Sequence, residues 1–190
     1  MSEATGLATA AYFLGRWQMV RLIDDHVAGA FGEFWGEAEF TAAPAAEGLR
    51  DASRDPSSSG AGPGPIDWPP SPRGPASGPG NASGPPDAGP DEVLVCSESG
   101  VLRFAGRDFA AGRTTFWGFA SDGAIHVAYD DGRPFHSFRL AAPQGLHLCG
   151  ADRYEVNYSF AAESWTSHWI VAGPRKDYTM TTRYCRIDPR

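Results

Sequence analysis

From Arg16 to the C-terminus, apolar and polar residues alternate with a period of two, and β-branched and aromatic residues dominate the apolar positions. Ten runs fit strands: 16–24, 31–41, 92–104, 112–120, 124–130, 134–140, 145–149, 152–161, 163–172 and 176–186. Before them, Leu7, Ala10, Ala11 and Leu14 recur at helical spacing, which predicts one or two helical turns within residues 3–14, ended by Gly15. The joints are short and carry turn chemistry: Ser121-Asp122-Gly123, Asp131-Gly132 and Ala172-Gly173-Pro174-Arg175. Short joints pair each strand with its sequence neighbour, antiparallel, because no crossover helix is present. Ten such strands leave two edges unless the sheet closes. The expected fold is therefore an all-β, up-and-down antiparallel barrel of about ten strands with a short N-terminal helix. A two-sheet sandwich is the alternative, but its Greek-key links need longer connections.

The pattern breaks once. Between Ser53 and Asp91 stand 11 Pro, 8 Gly and 7 Ser, too little apolar surface to offset the entropy of ordering them. Residues 44–92 are expected to form a disordered insert between the second and third strands, leaving 1–43 and 93–190 as a single barrel domain. Of 23 aromatic residues only Trp68 falls in the insert, so the barrel holds the material of a large core.

Charge narrows the partners. The formal net charge is −7, of which −4 belongs to the insert and −3 to the rest. Neither part offers the basic field that nucleic acid or an anionic membrane surface requires. No apolar run approaches the roughly 20 residues of a membrane span. Met1–Gly15 contains no Lys or Arg, unlike the start of a signal peptide. Cys96, Cys149 and Cys185 are odd in number and widely spaced, as in a cytoplasmic protein with reduced thiols.

Gly15-Arg16-Trp17 at the start of the first strand, with an Arg late on the last, resembles the calycin superfamily of lipocalins, fatty-acid-binding proteins and nitrobindin-like barrels. The resemblance implies that Trp17 plugs one end of the barrel and that Arg186 or Arg183 stacks on it. Five motifs in order resemble an uncharacterised family of lipocalin-like bacterial and fungal domains. They are Phe13-Leu14-Gly15-Arg16-Trp17; Gly32, Phe34, Gly36, Ala38 and Phe40 at alternate positions; Asp130 to His136; His147, Cys149, Gly150, Asp152 and Tyr154; and Gly173 to Tyr178. That resemblance implies the fold and no reaction.

Alternation also predicts what lines the barrel. Gly32, Phe34, Gly36, Ala38 and Phe40 face inward, since Glu33, Glu37 and Glu39 belong in water, and the small residues among them suggest room for a ligand. His136, Phe138 and Leu140 share a face, as do His147 and Cys149, and Tyr154, Val156, Tyr158 and Phe160. On the last strand Tyr178, Met180, Thr182 and Tyr184 form the inner face, and Glu98 on the third adds a carboxylate if no bulge at Gly100 breaks the parity.

Three functions fit. The first is binding of a small, mainly apolar ligand with polar handles, by Phe34, Phe40, Phe138, Cys149, Tyr178 and Tyr184, with Arg133 at the rim. The second is cofactor-independent acid–base catalysis of the cyclase, isomerase, dehydratase or decarboxylase type. There His136 or His147 serves as base and Tyr154 or Tyr158 donates to an oxyanion. The third is a haem or metal site built on His147 and Cys149 with His136 or His168. No Cys-x-x-Cys or His-Glu-x-x-His spacing supports it, and no cofactor is expected.

Overall fold

A computed structural model describes residues 10–43 and 90–187. The expected helix before Ala10 and insert positions 44–89 lie outside the described residues. The helix that is described, α1, is one turn, Ala10–Phe13. Ten antiparallel strands follow: β1 Gly15–Asp25, β2 Ala30–Ala42, β3 Glu92–Phe104, β4 Arg107–Phe119, β5 Ala124–Tyr129, β6 Pro134–Arg139, β7 Gln144–Cys149, β8 Asp152–Ala161, β9 Ser164–Gly173 and β10 Lys176–Arg186. They form one sheet in the order β6-β5-β4-β3-β2-β1-β10-β9-β8-β7, a nearly closed barrel.

The first and last strands pair over their length, Trp17 opposite Arg186 and Asp25 opposite Tyr178. Arg186 then lies 4.1 Å over the Trp17 ring and donates to the carbonyls of Leu14 and Tyr12. The cation thus stacks on an aromatic face while capping α1, whose carbonyls lack helical partners. Trp17 returns an Nε1 bond of 2.7 Å to the Phe13 carbonyl. Phe13 packs on Phe40, Trp117, Phe119, Phe160 and Trp165, so α1 corks this end of the barrel with rings.

The other side of the sheet is not laddered. β6 and β7 are joined by Leu140–Pro143, yet they do not pair along their length; only the isolated bridge Arg139–Ala142 forms in the turn. Neighbouring in sequence did not suffice for pairing here. A register shift at Val127/Ala128 interrupts the β5–β6 ladder beside this seam. The same irregularity buries both Phe135 and His136, although strict alternation puts Phe135 on the outer face. Side chains close the seam instead: Phe135 packs 5.1 Å from the His147 ring, and the His147 imidazole bonds the Phe135 carbonyl.

β4 begins five residues earlier than alternation suggests. The β3–β4 hairpin turns at Ala105-Gly106, both with positive φ (50° and 75°), a turn that Asn-Gly or Asp-Gly would have announced.

The small residues of β2 do not leave room. A side chain on Gly32 would meet the Phe104 ring at 2.8 Å, so that ring already fills the position. Gly36 faces Gly100 across the ladder, and a Cβ there would come within 2.2 Å of the Ser99 carbonyl oxygen. These glycines allow backbones to approach closely rather than hollowing the barrel. Gly36→Ala is expected to cost about 1–3 kcal/mol by forcing the strands apart. Urea unfolding followed by circular dichroism measures this; an unchanged midpoint would show that the close approach is not required.

Candidate functional site

Three layers fill the barrel. The corked end is aromatic. The opposite rim carries Tyr129, Tyr154 and Tyr178, all buried, with Arg133 over the Tyr129 ring and Lys176 over the Tyr154 ring. Lys176 also bridges Asp152 at 2.7 Å and donates to the Tyr154 hydroxyl at 2.5 Å. Between these ends lies a polar layer that the strand register assembles.

Glu98 is its centre. It is opposite Arg113 on β4, while Arg21 on β1 is opposite Thr182 on β10. Arg113 clasps the carboxylate through Nε (2.9 Å) and Nη2 (3.0 Å), Arg21 adds Nη2 at 2.6 Å, and the Tyr184 hydroxyl donates at 2.8 Å. Arg21 Nε donates to Thr182 Oγ1 at 2.8 Å. Burial alone would push the Glu98 carboxyl up; the charges and hydrogen bonds of Arg113 and Arg21 outweigh it and hold it at about 2. The parity of β3 runs unbroken through Gly100, which is why Glu98 points inward. Arg21 and Arg113 are the inward residues that the sequence reading lacks. Arg21 shares the parity of buried Trp17, Met19 and Ile23, a signal present in the alternation of β1. Arg113 shares that of Ala111, Thr115 and Trp117 on β4.

His136 and Tyr158 stand beside this cluster, His136 Nε2 lying 2.8 Å from the Tyr158 hydroxyl. Burial, aided by the nearby charge of Arg113, lowers His136 to about 3, and burial raises Tyr158 well above the usual phenol value. Both are therefore neutral at pH 7. His136 Nδ1 and Trp165 Nε1 are buried and have no hydrogen-bond partner. Both residues line an interior void of about 20 Å³, together with Glu98, Arg113, Tyr158 and Ser167. A second void, of about 10 Å³, lies on the far side of the Glu98–Arg113 pair, against Arg21, Phe34 and Leu102. The larger has room for about one water molecule. The open cup expected from the small residues of β2 is replaced by a packed interior with polar voids.

The sequence-derived candidates divide among the layers. His136, Tyr158 and Tyr184 meet in the middle, with Phe34 under the Arg21 guanidinium at 5.3 Å. His147, Tyr154, Tyr178 and Cys149 belong to the rim; His147 lies 5.8 Å from the Tyr154 ring, and burial lowers its pKa against an opposing hydrogen bond to Phe135. Phe40 and Phe138 pack with Trp117. Arg133 is half-buried at the β5–β6 turn and bonded to Asp131. His168 faces outward, bonded to Thr181 Oγ1 at 2.9 Å, so it cannot join His147 and Cys149. Among the described residues no three His, Cys, Asp or Glu are placed to hold a metal ion.

Two buried groups give stability a defined dependence on pH. An unfolded His136 takes up a proton near pH 6.5 and the folded one only near 3, so stability is lost as pH falls from 6.5 towards 3. Glu98 adds stability that is complete above about pH 4.5 and disappears as pH falls towards 2. Between pH 6.5 and 5 the histidine dominates, with a slope approaching about 1.4 kcal/mol per pH unit. His136→Phe is expected to flatten that segment in urea titrations while leaving the Glu98 window; an unaltered slope would mean that His136 takes up its proton equally in the folded and unfolded protein.

Among solved structures, the S-type phycobiliprotein lyase CPES from Guillardia theta is similar, with a TM-score of 0.52 at 10% identity over 93% of this chain and 89% of that one. At that identity the likeness is one of fold, a lipocalin-like barrel. No curated protein matches the chain. The described residues contain no helix long and apolar enough to cross a membrane. A family model matches residues 72–186, more than half the length, and the chain belongs to that family of unknown function, DUF6314.

Proposed function

We propose that the barrel binds a small, mainly apolar molecule that places its polar handles among the groups of the middle layer. The observation that carries this reading is the pair of buried polar atoms without partners, His136 Nδ1 and Trp165 Nε1, on residues lining one interior void within aromatic walls. Buried polar groups are nearly always paired, because each one left alone costs about 1–3 kcal/mol. A ligand, or a water in its absence, supplies what the fold omits. The similar phycobiliprotein lyase has the same kind of barrel, a shape suited to enclosing small molecules.

A void of about 20 Å³ holds no such ligand as it stands. The barrel must therefore open on binding, and the seam between β6 and β7 is where it parts at least cost, since no ladder of backbone bonds has to break there. Phe135 lies parallel to Trp169 at 5.2 Å on this route, and the two rings separate to admit the ligand. The acid–base alternative receives less support: a histidine held at about 3 is a weak base at neutral pH.

Native mass spectrometry of protein isolated from its own host tests the reading and is expected to reveal a co-purified small molecule. Removing and restoring that molecule is expected to change Trp169 emission, and Trp169→Phe to suppress the change. His136→Ala is expected to alter affinity only a few-fold, whereas an enzyme relying on this base would lose ~10²–10⁴ in rate. Protein that carries nothing and whose emission responds to no small apolar ligand would refute the binding reading.

A further inference from the structure

We propose that the ligand carries an anionic head, a carboxylate at the end of an apolar body, and that Arg113 receives it in the middle of the barrel. The inference rests on the binding reading above and adds the sign of the charge. Glu98 is the only buried carboxylate among the described residues, and it faces two guanidiniums, Arg21 and Arg113, whose side chains are 3% and 18% exposed. The layer therefore holds a net charge of +1 inside a barrel, where an uncompensated charge is costly.

Hydrogen bonding points the same way. The two oxygens of Glu98 already accept four bonds, two each: Oε2 from Arg21 and Arg113, Oε1 from Arg113 and Tyr184. A carboxylate so occupied has little left to offer a donor. The donors are in excess. No hydrogen bond among the described residues engages Nη1 of Arg113, and Trp165 Nε1 has no acceptor. The His136–Tyr158 pair, with both groups neutral, uses one of its two hydrogens between them and leaves one donor and one acceptor in either tautomer, so it is balanced and the excess lies with Arg113 and Trp165. All of these residues line the same void. A void with two donors to spare and a net positive charge selects an anionic acceptor over an alcohol and rejects a cation. Arg113 is the exposed member of the pair on this side, and a guanidinium edge matches a carboxylate in geometry. The body of such a ligand would lie towards Phe135 and Trp169.

Calorimetric titration of the full chain with octanoate, octanol and octyltrimethylammonium, three probes of one tail length, tests the assignment. Octanoate is expected to bind at least about tenfold more tightly than octanol, and octyltrimethylammonium not measurably, as for a charge-assisted hydrogen bond. Arg113→Met, its fold checked by circular dichroism, is expected to erase the preference for octanoate. Glu98→Gln raises the interior charge to +2 and is expected to strengthen that preference. Equal binding of octanoate and octanol, or a preference that survives Arg113→Met, would overturn the anionic head and leave the pocket reading intact. Failure of all three probes to bind would overturn the pocket reading and this assignment with it. Should Arg113→Met not fold, the three probes on the unaltered protein still decide.

Discussion

A charge buried in a barrel must be caged by its neighbours, and Glu98 is the charge around which this barrel is organised. Its four hydrogen bonds come from β1, β4 and β10, while Glu98 itself sits on β3. One carboxylate thus ties together strands from both ends of the chain, across the join between the first and last strands. Solvation lost on burial is large, and only this density of donors offsets it. The cage fixes the rotamers of Arg21 and Arg113, and through them the positions of Phe34 and Tyr184. Tyr184 in turn stacks on Trp165 at 3.6 Å, linking the polar layer to the aromatic cork.

The architecture was largely readable from alternation because most strands here are regular and most joints are short. Trp17, Met19 and Ile23 on β1, and Tyr154, Val156 and Tyr158 on β8, follow the period of two without interruption. Reading the site was harder. Glu98 sits two residues before a glycine, and Gly100 looked able to shift the register; the glycine opposite it, Gly36, accommodates the close approach instead. Arg21 lies on an inner face by parity, but a sequence does not reveal that its charge finds a carboxylate 77 residues away. The burial of Phe135 depends on an irregularity between Val127 and Ala128, which no residue type there announces. Cavity size was the least legible property. It depends on which ring occupies the space over a glycine, and Phe104 does so over Gly32 from a strand far along the chain.

The distribution of polar groups separates two tasks that an interior can combine. The cork of Phe13, Phe40, Trp117 and Trp165 makes hydrophobic contacts only with its surroundings, apart from the indole N–H groups, and fixes the fold. The rim pairs its charges close to water, with Lys176 on Asp152 and Arg133 on Asp131. Among the described residues, His136 Nδ1 in the middle layer and Trp165 Nε1, where the cork meets that layer, are buried without a hydrogen-bond partner. That placement keeps the incomplete chemistry away from the solvent-facing pairs and on the inner side of the cork, so that a change there need not unfold the end of the barrel that α1 closes.

The seam has a kinetic meaning. In this barrel β1 and β10 meet inside a continuous ladder, and the unladdered line falls between two strands that follow one another directly. The edges on either side are tethered by Leu140–Pro143, a link of four residues, and Tyr158 N–H donates to the Pro143 carbonyl at 2.8 Å. Separating them releases little loop entropy, and their re-encounter is a short-range search. Opening along this line is accordingly a local event that leaves the β1–β10 ladder intact.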